Sequence, residues 1–69
     1  MKIEKGKKYK TKSGNVVEVV NVTAAQVIGK YVKIAAPGHD SLSGKGDYWK
    51  LDGAWEKYPG GIHDIVAEA

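Results

Sequence analysis

Gly6-Lys7-Lys8-Tyr9-Lys10-Thr11-Lys12-Ser13-Gly14-Asn15, continued by Val16-Val17-Glu18-Val19-Val20-Asn21-Val22-Thr23, is the stretch from which an all-β architecture follows. Tyr9 and Thr11 alternate with lysines, so one side of an extended chain carries ammonium groups and the other a ring and a methyl. Ser13-Gly14-Asn15 supplies turn chemistry, and the valine run after it is too β-branched for a comfortable helix. The expected unit is a β-hairpin with one lysine-covered face. Within its second strand Val17 and Val19 alternate with Glu18, but the apolar parity then moves to Val20 and Val22. A β-bulge near Val19 and Val20 accounts for the shift and would bend the strand around a corner, as small barrels require.

Residues 24–36 can be read two ways. Ala24, Val27, Ile28, Tyr31, Ile34 and Ala35 fit a helical stripe with Gln26, Lys30 and Lys33 opposite, but Gly29 and the β-branched residues oppose a helix. Val32 and Ile34 around Lys33 favour a strand from about Lys30 to Ala35. Pro37-Gly38 opens a long loop that runs to Asp47. Tyr48-Trp49-Lys50-Leu51 resumes strand alternation, Asp52-Gly53 reads as a tight hairpin turn, and Ala54 to Tyr58 as the returning strand. Past Pro59-Gly60-Gly61, Ile62 to Ala67 reads as a last short strand, with Ile65 or Val66 over the core and the N-terminal strand as its neighbour. About five strands and no firm helix, in one domain spanning 1–69, add up to a five-stranded SH3-like barrel, with an OB-like barrel as the nearest competitor.

Composition sets the boundary conditions. A chain of 69 residues buries only about 60% of the surface its unfolded form exposes. It has no cysteine, so no disulfide or thiolate-bound metal can staple it; apolar packing must hold the strands, which favours closing the sheet on itself. The lack of cysteine suits a reducing compartment, and no segment has the roughly 20 apolar residues of a membrane span, so a soluble, cytoplasmic protein without a membrane partner is expected. Residues 1–15 hold six lysines against Glu4, a charge of +5, while the remaining five lysines and seven acids give −2, for a net +3. Every one of the eleven cationic residues is lysine, and without the planar fork of arginine, reading of specific base edges is disfavoured. A lysine face still attracts phosphates through counterion release. Lys7, Lys8, Lys10 and Lys12 are the candidate nucleic-acid contacts, the competing role of such lysines being to guard a sheet edge against aggregation.

No residue set spells out a reaction. His39-Asp40-Ser41 has the residue types of a nucleophilic triad, but sequence neighbours on a loop cannot be aimed at one another as that chemistry requires. His39, Asp40, His63 and Asp64 lack the spacing of a metal site, and no cofactor is implied. Ser41-Leu42-Ser43-Gly44-Lys45-Gly46 would suit an anion-binding nest of successive backbone N–H groups, or else a plain connector. Tyr31, Tyr48, Trp49, Trp55 and Tyr58 lie in or beside the second half of the sheet. Trp49 and Leu51 would share one face and Tyr48 and Lys50 the other, which leaves some large ring exposed. Such a ring suits base stacking or a protein interface, unless Trp49 is core and Trp55 merely caps one barrel end.

The opening Gly6-x-x-Tyr9-x-Thr11-x-Ser13-Gly14, the middle Val27-Ile28-Gly29, Trp49-x-x-Asp52-Gly53 and the terminal Asp64-Ile65-Val66 resemble the small SH3-like proteins of phage and prophage accessory regions. Ala54-Trp55 stands where those proteins commonly have an arginine after the Asp-Gly turn, and Gln26 where a proline often precedes Val-Ile-Gly. The resemblance implies a non-enzymatic accessory protein acting in the host cytoplasm. It would bind a host protein or sequester a nucleotide signal, and so counter host defence, with Tyr48, Trp55, Ser43, Lys45 and His39 as the contact surface. The alternative is a sequence-tolerant nucleic-acid-binding module working through the N-terminal lysines. An exposed closing strand or aromatic patch would also suit a symmetric dimer.

Overall fold

A computed structural model describes residues 1–69. Its elements are β1 (Lys8–Thr11), β2 (Val16–Val22), β3 (Val27–Lys33), a single 3-10 turn at Asp40–Leu42, β4 (Gly46–Trp49) and β5 (Ile65–Glu68). The strands pair antiparallel in one sheet of order β4-β3-β2-β1-β5, a meander whose last strand returns to the free side of β1. The segment after β4 links the two outer strands. Lys50 N–H donates to the Ala54 carbonyl at 2.8 Å and Ile65 N–H to the Gly53 carbonyl at 2.8 Å, while Trp55 forms a bridge with Trp49. The sheet is thereby curled into a small barrel, and its outermost strands gain partners that an open sheet would lack. The chain is all-β, in the five-stranded form its sequence implies.

Register explains which side chains turn inward. In the β1–β2 hairpin Lys8 faces Glu18, Tyr9 faces Val17 and Lys10 faces Val16; Tyr9, Thr11, Val17 and Val19 are buried and the lysines are exposed. Val19 pairs with Gly29 and Asn21 with Ile28, which makes Val20 the extra residue of a bulge. Val20 turns outward and Val22 packs on the core, so the parity shift in the sequence is this bulge. A second shift between Val16 and Val17 leaves Val32 extra on β3.

The core is Ile3, Tyr9, Val17, Val19, Val27, Tyr31, Trp49 and Ile65. Full burial of each large side chain stabilises by about 2–3 kcal/mol. Trp49 lies edge-on to Tyr31, with ring centroids 5.8 Å apart, and close against Gly29, where a Cβ would come within 3.1 Å of both its Cζ3 and the Glu18 carbonyl. The Tyr9 hydroxyl accepts from Glu4 N–H at 2.7 Å, which holds Ile3 over the barrel.

Four element boundaries differ from expectation. Residues 24–36 do contain a strand, but it runs Val27–Lys33 instead of Lys30 to Ala35. Its inward set is Val27, Gly29 and Tyr31, a period-two pattern masked in the sequence because its middle member has no side chain. Strand β4 spans Gly46–Trp49 instead of 48–51; Leu51 sits in the turn closed by Gly53 N–H to the Lys50 carbonyl at 2.9 Å and is exposed, so it does not share the face of Trp49. Ala54 to Tyr58 is not a strand. The amide of Trp55 donates to Asp64 Oδ1 at 2.8 Å, so a side chain replaces a neighbouring strand as its acceptor and only one bridge forms. The closing strand starts at Ile65, not Ile62, with Ile65 buried and Val66 outside.

The Asp52-Gly53 turn is present as expected. Asp52 Oδ1 accepts from Ala54 N–H at 2.9 Å, and Gly53 has φ +95° with the Ile65 carbonyl 2.9 Å from where a Cβ would sit. Only glycine combines that backbone with that approach to β5.

Candidate functional site

Two surfaces concentrate polar and aromatic groups. The first lies around the connections that close the barrel. Asp47, at the start of β4, accepts from the Tyr31 hydroxyl at 3.0 Å and from Trp55 Nε1 at 2.8 Å through one oxygen, and from Tyr48 N–H at 2.8 Å through the other. Burial, followed by the charge of Asp47 and the bond to it, pushes the Tyr31 phenol well above the usual tyrosine value, so it stays a donor. The His63 ring lies 4.4 Å from that of Trp55 and 5.3 Å from that of His39, and its carbonyl accepts from Trp49 Nε1 at 2.8 Å. Its Nδ1 is buried without a partner. Burial and then the proximity of His39 hold His63 below the ordinary histidine value, with Asp47 opposing them.

Asn15 fixes the neighbouring imidazole. It is fully buried, and its Oδ1 accepts from Ala35 and Ala36 N–H at 2.9 and 3.0 Å. Its Nδ2 therefore points at His39 Nδ1, 3.2 Å away, which must accept, leaving the ring proton on Nε2. Asp64 closes the same end, accepting from Trp55 N–H and, at 2.9 Å, from Gly60 N–H.

The five residues proposed as a contact surface divide here. His39 and Trp55 are joined through His63, and Trp55 caps the barrel end with Tyr58 at 5.9 Å and the Lys57 ammonium at 5.8 Å from its ring. Ser43 and Lys45 follow His39 on the same loop with their side chains exposed. Tyr48 belongs elsewhere: it is cross-strand from Ile28, on the outer face opposite buried Trp49, and half exposed. Of the two readings of the Ser41–Gly46 loop, the connector fits and the anion nest does not. Leu42, Ser43, Gly44 and Lys45 N–H donate to the carbonyls of His39, Asp40, Tyr31 and Leu42, which leaves no run of free amides.

His39, Asp40 and Ser41 make no side-chain hydrogen bonds to one another; they enter the 3-10 turn, and His39 turns to Asn15. His39 and His63 do approach, but both oxygens of Asp64 are engaged. No group of three or more His, Asp or Glu stands close enough to hold a metal.

The second surface is the outer face of β1, β2 and β3. Lys8 opposes Glu18, which opposes Lys30; Lys10 opposes Val16, which opposes Lys33. Two lysines near the chain start and two from its middle thus form two parallel rows, the lysines of each row two strand separations, about 10 Å, apart. The other two predicted lysines are committed. Lys7 pairs with Glu4 at 3.3 Å and Glu68 at 3.7 Å, and those acids push its pKa upward, the Glu4 contact most. Lys12 Nζ donates to the Gly60 carbonyl at 3.1 Å. By contrast, no acid lies within salt-bridge distance of Lys8, Lys10, Lys30 or Lys33.

No cleft opens in the barrel surface, and no helix is long and apolar enough to cross a membrane. Neither family models, curated proteins nor solved structures give a match to this chain. Functional meaning is therefore carried by the two surfaces themselves.

Lys30 and Lys33 escaped the sequence reading because they sit apart from the lysine-rich start. The signal that would have found them is the hairpin parity extended one strand further, across the bulge at Val32. Asn15 and Asp47 were legible only as turn and loop residues, and Asp64 only as a strand or metal-ligand candidate, since their acceptors serve amides and rings up to 21 residues away.

Proposed function

We propose that this protein is a non-enzymatic binding module that engages nucleic acid through the lysine face, without reading sequence. The observation that carries the proposal is the register that aligns Lys8, Lys10, Lys30 and Lys33 on one outer surface, with no acid in salt-bridge distance of any of them. An ammonium is a point charge that suits phosphate oxygens, and a row of them gains affinity from released counterions. Glu18, in the middle of the face, tempers the attraction.

The test is a salt titration of binding to a mixed-sequence oligonucleotide. Four phosphate contacts predict a log–log slope of roughly −3, and the Lys8→Gln, Lys10→Gln, Lys30→Gln, Lys33→Gln variant should flatten it. Tight binding that ignores salt, or that survives the fourfold variant, would remove the proposal.

A second reading, in the phage-type accessory role, is a protein that binds a host protein in the host cytoplasm and so counters host defence. It draws its support from the opposite region, where Tyr58 and Ile62 protrude, 72% and 51% exposed, beside Trp55 and His39. Aromatic anchors of that sort are common at protein interfaces. The host component is a host protein or a nucleotide signal, and exposed side chains of this kind suit the protein. A complex with a host partner that is broken by Tyr58→Ala and indifferent to the lysines would favour it over the first reading.

A further inference from the structure

The lysine face continues without a break onto an exposed aromatic surface. Lys30 pairs with Gly46, and Ile28, two residues earlier on β3, pairs with Tyr48, two residues later on β4. Lys30 and Tyr48 are therefore diagonal cross-strand neighbours, about 7–8 Å apart and within side-chain reach. Between Lys30 and the far edge of β4 stands only a glycine, so nothing screens the lysine from the ring. The Tyr48 ring is 50% exposed, and it takes part in none of the aromatic pairs that engage Tyr31, Trp49, Trp55 and Tyr58. Asn21 pairs with Ile28, and Val20, the extra residue of the bulge beside it, is 42% exposed. Ile28 and Tyr48 are thus paired beside the lysine rows, in a row completed by Asn21, with Val20 exposed at the bulge next to it.

We infer that the ligand of this face is single-stranded nucleic acid, with Tyr48 stacking on a base and Lys8, Lys10, Lys30 and Lys33 holding the backbone. This rests on the nucleic-acid reading given above and narrows it. Duplex presents phosphates outward and keeps its bases stacked inside, so the lysines alone would serve it and the Tyr48 ring would be left facing water. A single strand offers an ionic backbone and free ring faces together, which matches a surface holding cations and an uncovered ring side by side. Exposed apolar side chains such as Tyr48 and Val20 would otherwise favour association with one another.

The test is fluorescence anisotropy with a labelled oligothymidine of about 12 nucleotides and a duplex of the same length, at about 25 mM salt. The single strand should bind more tightly than the duplex. Tyr48→Ala should weaken the single strand at least about five-fold, the loss of one base stack, while leaving duplex binding within two-fold; Tyr48→Phe should behave as the parent. Tyr48 is not in the core, and an unchanged melting curve would certify the variant as folded. Duplex binding as tightly as the single strand, or a folded Tyr48→Ala that binds the single strand normally, overturns this inference and leaves the lysine-face proposal standing. Failure of both oligonucleotides to bind at low salt overturns the two together.

Discussion

The barrel end around Asp47 and the outer face around Lys30 are both rich in polar groups, but they use them in opposite ways. At the barrel end almost every donor meets an acceptor inside the fold: Asp47 takes three bonds, Asp64 two and Asn15 three. On the outer face, four ammonium groups lie outside salt-bridge range of any acid. A group already bonded to its own chain has little left to offer a ligand, and removing it exposes unsatisfied partners. A charge held in register but uncommitted costs the fold little and is available. The residue types of a catalytic or binding centre, histidine, aspartate and tryptophan, thus belong here largely to the scaffold, and the plain lysines to the surface proposed to meet nucleic acid.

The comparison would break most visibly at Asp47. Asp47→Ala strips acceptors from Tyr31, Trp55 and the Tyr48 amide and should cost about 2–4 kcal/mol in urea unfolding. A loss under about 1 kcal/mol would show that the barrel end is not structural and return it to the list of contact surfaces. Gly29→Ala comes next, at about 1–3 kcal/mol, since its Cβ meets the Trp49 ring and a carbonyl; Gly46→Ala, whose Cβ has only the Gly29 carbonyl at 3.6 Å, should melt like the parent.

On the lysine face the expected effects move from stability to affinity. Lys30→Gln should weaken oligonucleotide binding roughly five-fold at low salt, and Lys7→Gln, whose charge is already answered by Glu4 and Glu68, less than two-fold. Glu18→Gln should strengthen binding. All three should leave stability within about 0.5 kcal/mol, and equal losses for Lys7 and Lys30 would erase the distinction between committed and free lysines.

The smallest effect is one of pH. Folding holds His63 below its ordinary pKa, so the unfolded chain takes up the proton first. The stabilisation is complete above about pH 6.5 and is lost as pH falls toward the depressed folded-state value. His63→Gln should make the melting temperature less steep with pH in that window, and parallel curves for the two proteins would refute a role for this ring in acid stability.

Some of this was visible in the chain before it folded, because it depends on neighbours in sequence. Alternation of Tyr9 and Thr11 with lysines, the turn chemistry of Ser13-Gly14-Asn15 and Asp52-Gly53, and the parity break at Val20 are local signals, and each corresponds to a hairpin, turn or bulge. The strand at 54–58 was misread for a reason equally physical: alternation says that a segment can extend, not that a ladder partner awaits it. Of the candidate site, Lys8 and Lys10 on one face and Tyr48 could be named from local pattern, but not that Tyr48 would share the face of the lysines.

Residue order alone settled that the chain is built of short strands, where its main turns fall, and that its positive charge is all lysine. Folding in three dimensions settled which lysines stand together, which aromatic rings stay uncovered, and which carboxylates are bonded into the frame. The division has a single cause. Strand and turn preferences act over a few residues, whereas cross-strand register and the capture of distant amides by Asn15, Asp47 and Asp64 arise only when segments far apart in the chain are packed against one another.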